Sequence, residues 1–493
     1  MSVKEKGGGG AGERKMFVGV VWNCAPELKL LLTALLLLFS IVTVLQFIPW
    51  RFTISAPTNL GSCLPAGPSP IATAIEPSSA SPVELENGVV KRGFSGFGSA
   101  AYNFVIMSAY RGGYNTFAVM GLGSKPLHVF GKPSYVCEWV PADVSRDSVS
   151  VAGDKILPDW GYGRVYTVVV VNCTFPVPVG DADTGGKLLI HAATNGAGDT
   201  HFNVTDTFTA MTETPQDFAT FTSVFSSKPT YDYLYCGSSL YGNLSPQRVR
   251  EWVAYHVRLM GKKSHFVIYD AGGVHPAVME VLRPWMEKGY VTLQDVKEQE
   301  RFDGYYHNQF LILNDCLHRY RFQTKWMFFF DVDEFIFVPK KNTLKSVLDS
   351  LSAYTQFTIE QMPMSNKLCL REDSGKTLRK WGFEKLVYKD VKRGIRRDRK
   401  YAVQPRNVVA TGVHMSQNTV GKTTHKTEGR IMYFHYHGTI AERRDPCRHL
   451  VNATALTVDN VPYVMDTTMR GIAGSVKRFE LKTIGSVLQN TRQ

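Results

Sequence analysis

The sequence predicts a doubly wound α/β domain with a mostly parallel, Rossmann-like sheet, preceded by an all-β sandwich and one N-terminal transmembrane helix. Three observations carry this expectation. An uncharged apolar stretch near the N-terminus is long enough to cross a bilayer. Short β-prone runs without any helical period fill the next part of the chain. From about residue 228, strand-like and helix-like segments alternate, the order that builds parallel sheets.

The chain has 493 residues, room for two or three domains with full cores. Lys and Arg number 56 against 43 Asp and Glu, a net charge of +13. That excess suits nucleic acid, a membrane surface or a polyanionic glycan. No zinc-finger, ribonucleoprotein or basic-zipper motif is present, so nucleic acid is not expected as a partner.

Residues 30–48 carry no charge, and their only polar side chains are Thr33, Ser40, Thr43 and Gln46. At about 1.5 Å per residue such a helix nearly matches the roughly 30 Å hydrocarbon core. Lys4, Lys6, Arg14, Lys15 and Lys29 precede it and only Arg51 follows directly, which puts the N-terminus in the cytosol. A cleaved signal peptide would have a shorter apolar region and a better cleavage site than Ser55-Ala56-Pro57. The expectation is a type II signal anchor with everything after it lumenal. Sequons at Asn172, Asn203, Asn243 and Asn452 agree, although Pro246 follows the third. Of eight cysteines, Cys24 precedes the anchor and seven would meet an oxidising compartment. That odd number leaves one without a partner in the chain, and Cys63 in the stem is the candidate. No CxxC pair points to zinc.

The expected organisation is a tail over 1–29, the anchor over 30–48, a Pro/Ser/Ala-rich stem over 49–92, a β-sandwich over 93–225 and a catalytic domain over 226–493. The sandwich rests on β-prone runs at 103–107, 116–120, 135–140, 165–171 and 187–191, punctuated by Gly, Pro and Asp. Cys137 and Cys173 lie in or beside two of those runs and could bridge it. Exposed aromatics on a β surface can stack on sugar rings; Tyr110, Tyr114, Trp160 and Tyr162 are the candidates, against the plainer reading of core or edge aromatics.

In the catalytic part, 231–236 reads as a first strand. Ser245-Pro246 caps a helix that Gly261 ends. A second strand at 265–270, a helix at 276–288, a third strand at 291–293 and a helix at 305–320 follow. The central strand spans Trp326 to Phe337 and carries Asp331, Asp333 and Glu334. Ligands of open α/β sheets sit beyond the carboxyl ends of strands. In extended backbone Asp331 and Asp333 point to the same side, and two hard oxygen ligands suit Mg²⁺ or Mn²⁺ that also holds a diphosphate. The plainer alternative is a solvated strand end. Asp270, at the end of an early strand, is a candidate for the base or ribose of a nucleotide, or simply a turn Asp. Glu360 and Glu384 are usable carboxylates further on. The cationic run at 389–406 is a solvated face, or it neutralises diphosphate or an acidic polysaccharide. His414, His435 and His437 are possible further ligands.

Tyr255-His256, Tyr269-Asp270, the helix from Asn308-Gln309 to Cys316, Trp326, Asp331-Val332-Asp333-Glu334-Phe335, Gly412-Val413-His414 and His435-Tyr436 together resemble glycosyltransferase family 92, over roughly 228–460. With the anchor and β domain in front, the layout resembles the plant members of that family that build pectic galactan. The resemblance implies a GT-A-like fold, UDP-galactose as donor, Mn²⁺, and inversion at the anomeric carbon. It also implies a Golgi membrane location, a carbohydrate-binding β domain and a homodimer. The implied reaction moves galactose to the O4 of a terminal galactose on the β-1,4-galactan side chains of pectin, a cell-wall polysaccharide. Asp331 and Asp333 would hold metal and donor, with His414 preferred as third ligand over His435 and His437. Asn308 and Gln309 would bind the donor sugar. An inverting displacement needs one carboxylate base, for which Glu384 is preferred over Glu360. The alternatives are transfer of another UDP-sugar such as a pentose, and an inactive lumenal glycan-binding protein.

Overall fold

The computed structural model describes residues 82–98, 102–193, 204–302, 304–374, 380–395, 397–441 and 445–491. The expected tail, anchor and most of the stem, with Cys24, Cys63 and Asn203, lie outside them. Among the described residues no helix is long and apolar enough to cross a membrane.

The described residues are mostly β. A hairpin, β1 (Val83–Glu84) and β2 (Val90–Lys91), precedes β3 (Ser95–Phe97), β4 (Phe104–Arg111), β5 (Thr116–Ser124), β6 (Ser134–Pro141), β7 (Val149–Ile156), β8 (Tyr166–Thr174), β9 (Gly186–Ala193) and β10 (Asp206–Glu213). Strands β3 to β10 form one antiparallel sheet in the order β10-β9-β6-β7-β8-β5-β4-β3. This corrects the expected sandwich: the sheet rolls nearly closed on itself, like a barrel. Register shifts between Ile106 and Ser108 and between Thr209 and Met211 insert bulges that bend and twist their strands. The two edges then meet, with Phe97 stacked on Phe208 at 4.4 Å between ring centroids. Alternating apolar residues look alike in a sandwich and in a rolled sheet, so the bulges decide. Phe104, Phe117, Trp139, Val169 and Val171 fill the interior, and Cys137 is bonded to Cys173.

Past helix α1 (Pro215–Ser226), the chain alternates β11 (Tyr231–Leu240), α2 (Pro246–Met260), β12 (Ser264–Asp270), α3 (Pro276–Glu287), β13 (Val291–Asp295), α4 (Gln309–Arg319) and β14 (Thr324–Phe329). Here the sheet is parallel, in the order β2-β13-β12-β11-β14. It does not continue so. The strand Lys400–Val403 pairs antiparallel with β14 and with β16 (Gln356–Pro363), and β15 (Glu334–Phe337) pairs antiparallel with Met432–His435. The expected Rossmann-like, GT-A-like α/β domain is therefore corrected to a mixed sheet in a mostly β protein. Parallel pairing needs a crossover of a dozen or more residues, usually a helix. After β14 such crossovers stop: β15 follows a short turn, and the Leu344–Ser350 helix before β16 has seven residues.

The outer face of β4, β5 and β8 packs on α4, where Val105, Met120 and Val168 join Phe310, Ile312 and Leu313 in one core. Both faces of these strands are thus buried, which accounts for the unbroken valine run of β8. Cys236–Cys316 ties β11 to α4, and Cys369–Cys447 closes a later loop.

Helix α2 pins β15. Trp252 Nε1 donates to the Glu334 carbonyl at 2.9 Å and the Tyr255 hydroxyl donates to that of Ile336 at 2.7 Å. His256 Nδ1 donates to the Trp252 carbonyl, leaving Nε2 to accept from the Ile336 amide at 3.2 Å. Burial pushes the His256 imidazole down to about 3. Its folded pKa lies below the ordinary value, so its contribution to stability is full above about pH 6.5 and is lost as pH falls towards 3. His256→Gln keeps one donor and one acceptor but does not titrate. Its unfolding free energy should fall less steeply than the wild type's between pH 6.5 and 4.5, by up to about 1.4 kcal/mol per pH unit. Parallel pH profiles from denaturant titration would refute this.

Candidate active site

The chain reverses between β14 and β15, and that reversal shapes a cavity of about 590 Å³. The expected single strand from Trp326 to Phe337 is broken: the Glu334 amide donates to the Asp331 carbonyl at 3.1 Å, closing a turn. In return the Asp331 amide donates to Glu334 Oε2 at 2.7 Å. Asp331 and Asp333 both line the cavity, but the turn sends their carboxylates to different partners.

Asp331 is fully engaged. Lys400 Nζ lies 2.7 Å from Oδ2, while Ser238 Oγ at 2.5 Å and Gln309 Nε2 at 3.1 Å donate to Oδ1. Burial works to raise the Asp331 pKa, but the Lys400 ammonium outweighs it and holds the carboxyl well below the usual range. Lys400 is itself buried, 3.7 Å from Glu334 Oε2. Burial, only partly offset by Lys400, pushes the Glu334 carboxyl up to about 8.

Asp333 turns the other way. Its Oδ2 accepts from the Gly438 amide at 2.8 Å and its Oδ1 lies 3.6 Å from His435 Nε2. A carboxylate oxygen of Asp333 and ring nitrogens of His435 and His437 all lie within 4.8 Å of one another. One carboxylate and two imidazoles fit a divalent transition metal such as Mn²⁺. Gln361 Nε2 sits 2.5 Å from His435 Nδ1 and orients that ring. Burial opposes charge on His435, yet the Asp333 carboxylate keeps its pKa above the ordinary value.

The other sequence candidates distribute unevenly. His414 lines the cavity but stands outside this ligand cluster, with Nδ1 donating to the Arg399 carbonyl at 3.2 Å. Gln309 lines the cavity; Asn308 does not, being buried with Nδ2 donating to Gln299 Oε1 at 2.6 Å and to the Phe302 carbonyl at 3.0 Å. Asp270 is buried in its own turn, where Oδ1 accepts from the Gly272 and Val274 amides and Oδ2 lies 3.2 Å from Lys297 Nζ. Neither Glu384 nor Glu360 reaches the cavity lining. Glu384 accepts from the Trp381 amide and pairs with Lys477; Glu360 lies within β16, whose next residue, Gln361, faces in. Asn243 and Asn452 are exposed and Asn172 is half-buried.

The sequence pattern does not single out Ser238, Gln361 or Asp398, and it offers Lys400 only as one of the cations in the 389–406 run that could neutralise diphosphate. Lys400 was hidden in the cationic run, where it alone is described as buried among charged neighbours that are exposed or half-buried. Asp398, two residues earlier, is exposed and lines the cavity, and its carboxylate accepts no hydrogen bond from another described residue. Nothing in the local sequence separates either from a solvated face.

A sequence profile described as glycosyltransferase family 92 matches residues 231–472. The chain is 58% identical to a protein named galactan beta-1,4-galactosyltransferase GALS3 from Arabidopsis thaliana, over 98% of each chain. It is 56% identical to GALS2, of the same printed activity and organism, again over 98% of each. GALS1 from that organism is 53% identical over 81% of this chain and 80% of its own length.

Proposed function

The chain belongs to glycosyltransferase family 92, and on that premise we propose that it transfers galactose from UDP-galactose to the O4 of a terminal galactose on β-1,4-galactan. The observation that carries this reading is one cavity holding Asp333, His435 and His437 together with the buried Lys400 paired to the half-buried Asp331. Asp333, His435 and His437 would hold Mn²⁺, which supplies positive charge for the departing diphosphate. Gln361, with its amide turned to accept from Nδ1–H of His435, would leave Nε2 free to ligate. Lys400 adds a fixed positive charge in the same cavity, already desolvated and held by Asp331.

The reaction forms a bond between the acceptor O4 and the anomeric carbon of galactose while the bond from that carbon to the UDP oxygen breaks. The O4 proton must go to a base on the side away from UDP, which inverts the centre. Of the acids lining the cavity, Asp331 is committed to Lys400, Asp333 to the histidine cluster, and Glu334 to the Asp331 amide. Asp398 remains, and we assign it the role of base.

Each of the six described cysteines is in a disulfide, and pairing of that extent favours an oxidising compartment. That agrees with a lumenal enzyme behind a type II anchor at 30–48, and family membership adds the Golgi, a homodimer and pectic galactan as the acceptor to the proposal. The test is elongation of a short β-1,4-galacto-oligosaccharide by the full chain with UDP-galactose and Mn²⁺. Products one galactose longer with a β-1,4 linkage, abolished by EDTA, are expected. A folded, UDP-binding chain that elongates only with a UDP-pentose would replace the donor assignment. Oligosaccharide binding without turnover on any donor would leave a glycan-binding protein.

A further inference from the structure

One wall of the cavity is made by the rolled sheet rather than by the family 92 region. Trp160 and Tyr162, in the turn between β7 and β8, line the same cavity as Asp331 and Asp333 and are 52% and 63% exposed. Large aromatics left that open, yet held in a fixed turn, mark a binding surface rather than core. The turn is rigid. Asp159, fully buried, accepts from the Thr167 hydroxyl at 2.7 Å and from the amides of Gly161 and Val168, both at 3.1 Å. Trp160 adopts φ 50°, a left-handed conformation that a bulky residue takes only where its surroundings impose it.

The facing loop repeats the pattern. Tyr306, His307 and Asn308 have φ of 49°, 50° and 54°, three successive left-handed residues where such residues ordinarily occur singly. The buried Asn308 side chain anchors this loop, and the next residue, Gln309, donates to Asp331. Tyr162 and Tyr305 face each other with ring centroids 6.4 Å apart. A second cavity of about 560 Å³ shares Tyr162, Tyr241, Tyr305 and Tyr306 with the first, so the aromatic wall leads out of the reaction centre into an open groove.

We propose that Trp160 and Tyr162, with Tyr305 opposite, form an acceptor subsite that stacks on the galactosyl rings behind the reacting end of a β-1,4-galactan chain. Galactopyranose presents C–H bonds on the face away from its axial O4, and that face matches an indole or phenol ring. A growing polymer needs a groove open at its far end, which the second cavity supplies; a nucleotide sugar does not. The rolled sheet then contributes directly to catalysis by registering the acceptor, and it is not only a separate glycan-binding surface. This inference rests on the galactosyltransferase reading of the cavity.

The experiment compares the full chain with its Trp160→Ala, Tyr162→Ala and Trp160→Phe variants on galactobiose and galactopentaose. Both alanine variants should raise KM for the pentasaccharide about tenfold, the size of a lost ring contact. Trp160→Phe should stay near wild type. KM for UDP-galactose, the rate of UDP-galactose hydrolysis without acceptor, and the melting temperature should not move. Unchanged acceptor KM, or a parallel rise in donor KM, overturns the subsite. If the wild type elongates nothing, the galactosyltransferase reading fails separately, and calorimetric titration of the pentasaccharide decides. Binding lost in Trp160→Ala then upholds the subsite, and equal binding overturns it.

Discussion

Asp333→Ala should abolish Mn²⁺ binding and lower kcat for galactose transfer by at least about 10²- to 10³-fold, the usual cost of removing one transition-state charge stabiliser. Asp333 is the sole carboxylate of the ligand cluster, and the two imidazoles left behind would hold a hard cation weakly. The protein should still fold, because Asp333 is half-buried and its backbone, which accepts from the Tyr436 amide at 3.0 Å, is untouched. Asp331→Ala should behave differently. It strands the Lys400 ammonium, 1% exposed, without its closest partner. Asp331 is itself about a third exposed and Glu334 stays 3.7 Å from Lys400, so the cost is that of one poorly satisfied buried cation, about 1–3 kcal/mol, and this variant should lose some stability as well as activity. Calorimetric Mn²⁺ titration and denaturant unfolding separate the two. Wild-type Mn²⁺ affinity in Asp333→Ala would sink the assignment of the cluster.

Asp398→Asn should lower kcat for elongation by about 10²- to 10⁴-fold while leaving Mn²⁺ and UDP binding intact. The amide cannot take the O4 proton but keeps the size and polarity of the carboxylate. Hydrolysis of UDP-galactose without acceptor, which needs no O4 deprotonation, should persist. Should elongation survive in Asp398→Asn and fail in Glu384→Gln, the base would have to reach the cavity by a movement that frees Glu384 from Lys477.

The helical and strand periods up to β14 were legible because each is set within a window of a few residues. Ser245-Pro246 opens α2 and Gly261 closes it as the capping pattern requires. The buried run before Asp331 is likewise a strand. Reading the apolar run through to Phe337 as one strand failed for a definite reason: Asp331-Val332-Asp333 forms a turn, closed by hydrogen bonds between Asp331 and Glu334. That turn is what separates the two carboxylates. The sandwich failed similarly, since the bulges that roll the sheet leave no mark in an alternating pattern.

The sequence alone determined the alternating elements from β11 to β14, the family, and the acids and histidines from which the candidate site is drawn. Only the tertiary structure decided that Asp331 pairs with Lys400, 69 residues away, and that Asp333 meets the loop at Gly438, 105 residues away. It also decided that the rolled sheet supplies an aromatic wall. Periodicity and capping are local, and a sequence displays them directly. A long-range charge pair or a shared cavity instead depends on which distant strand lies alongside, and that is fixed when crossover helices run out and strands fold back antiparallel.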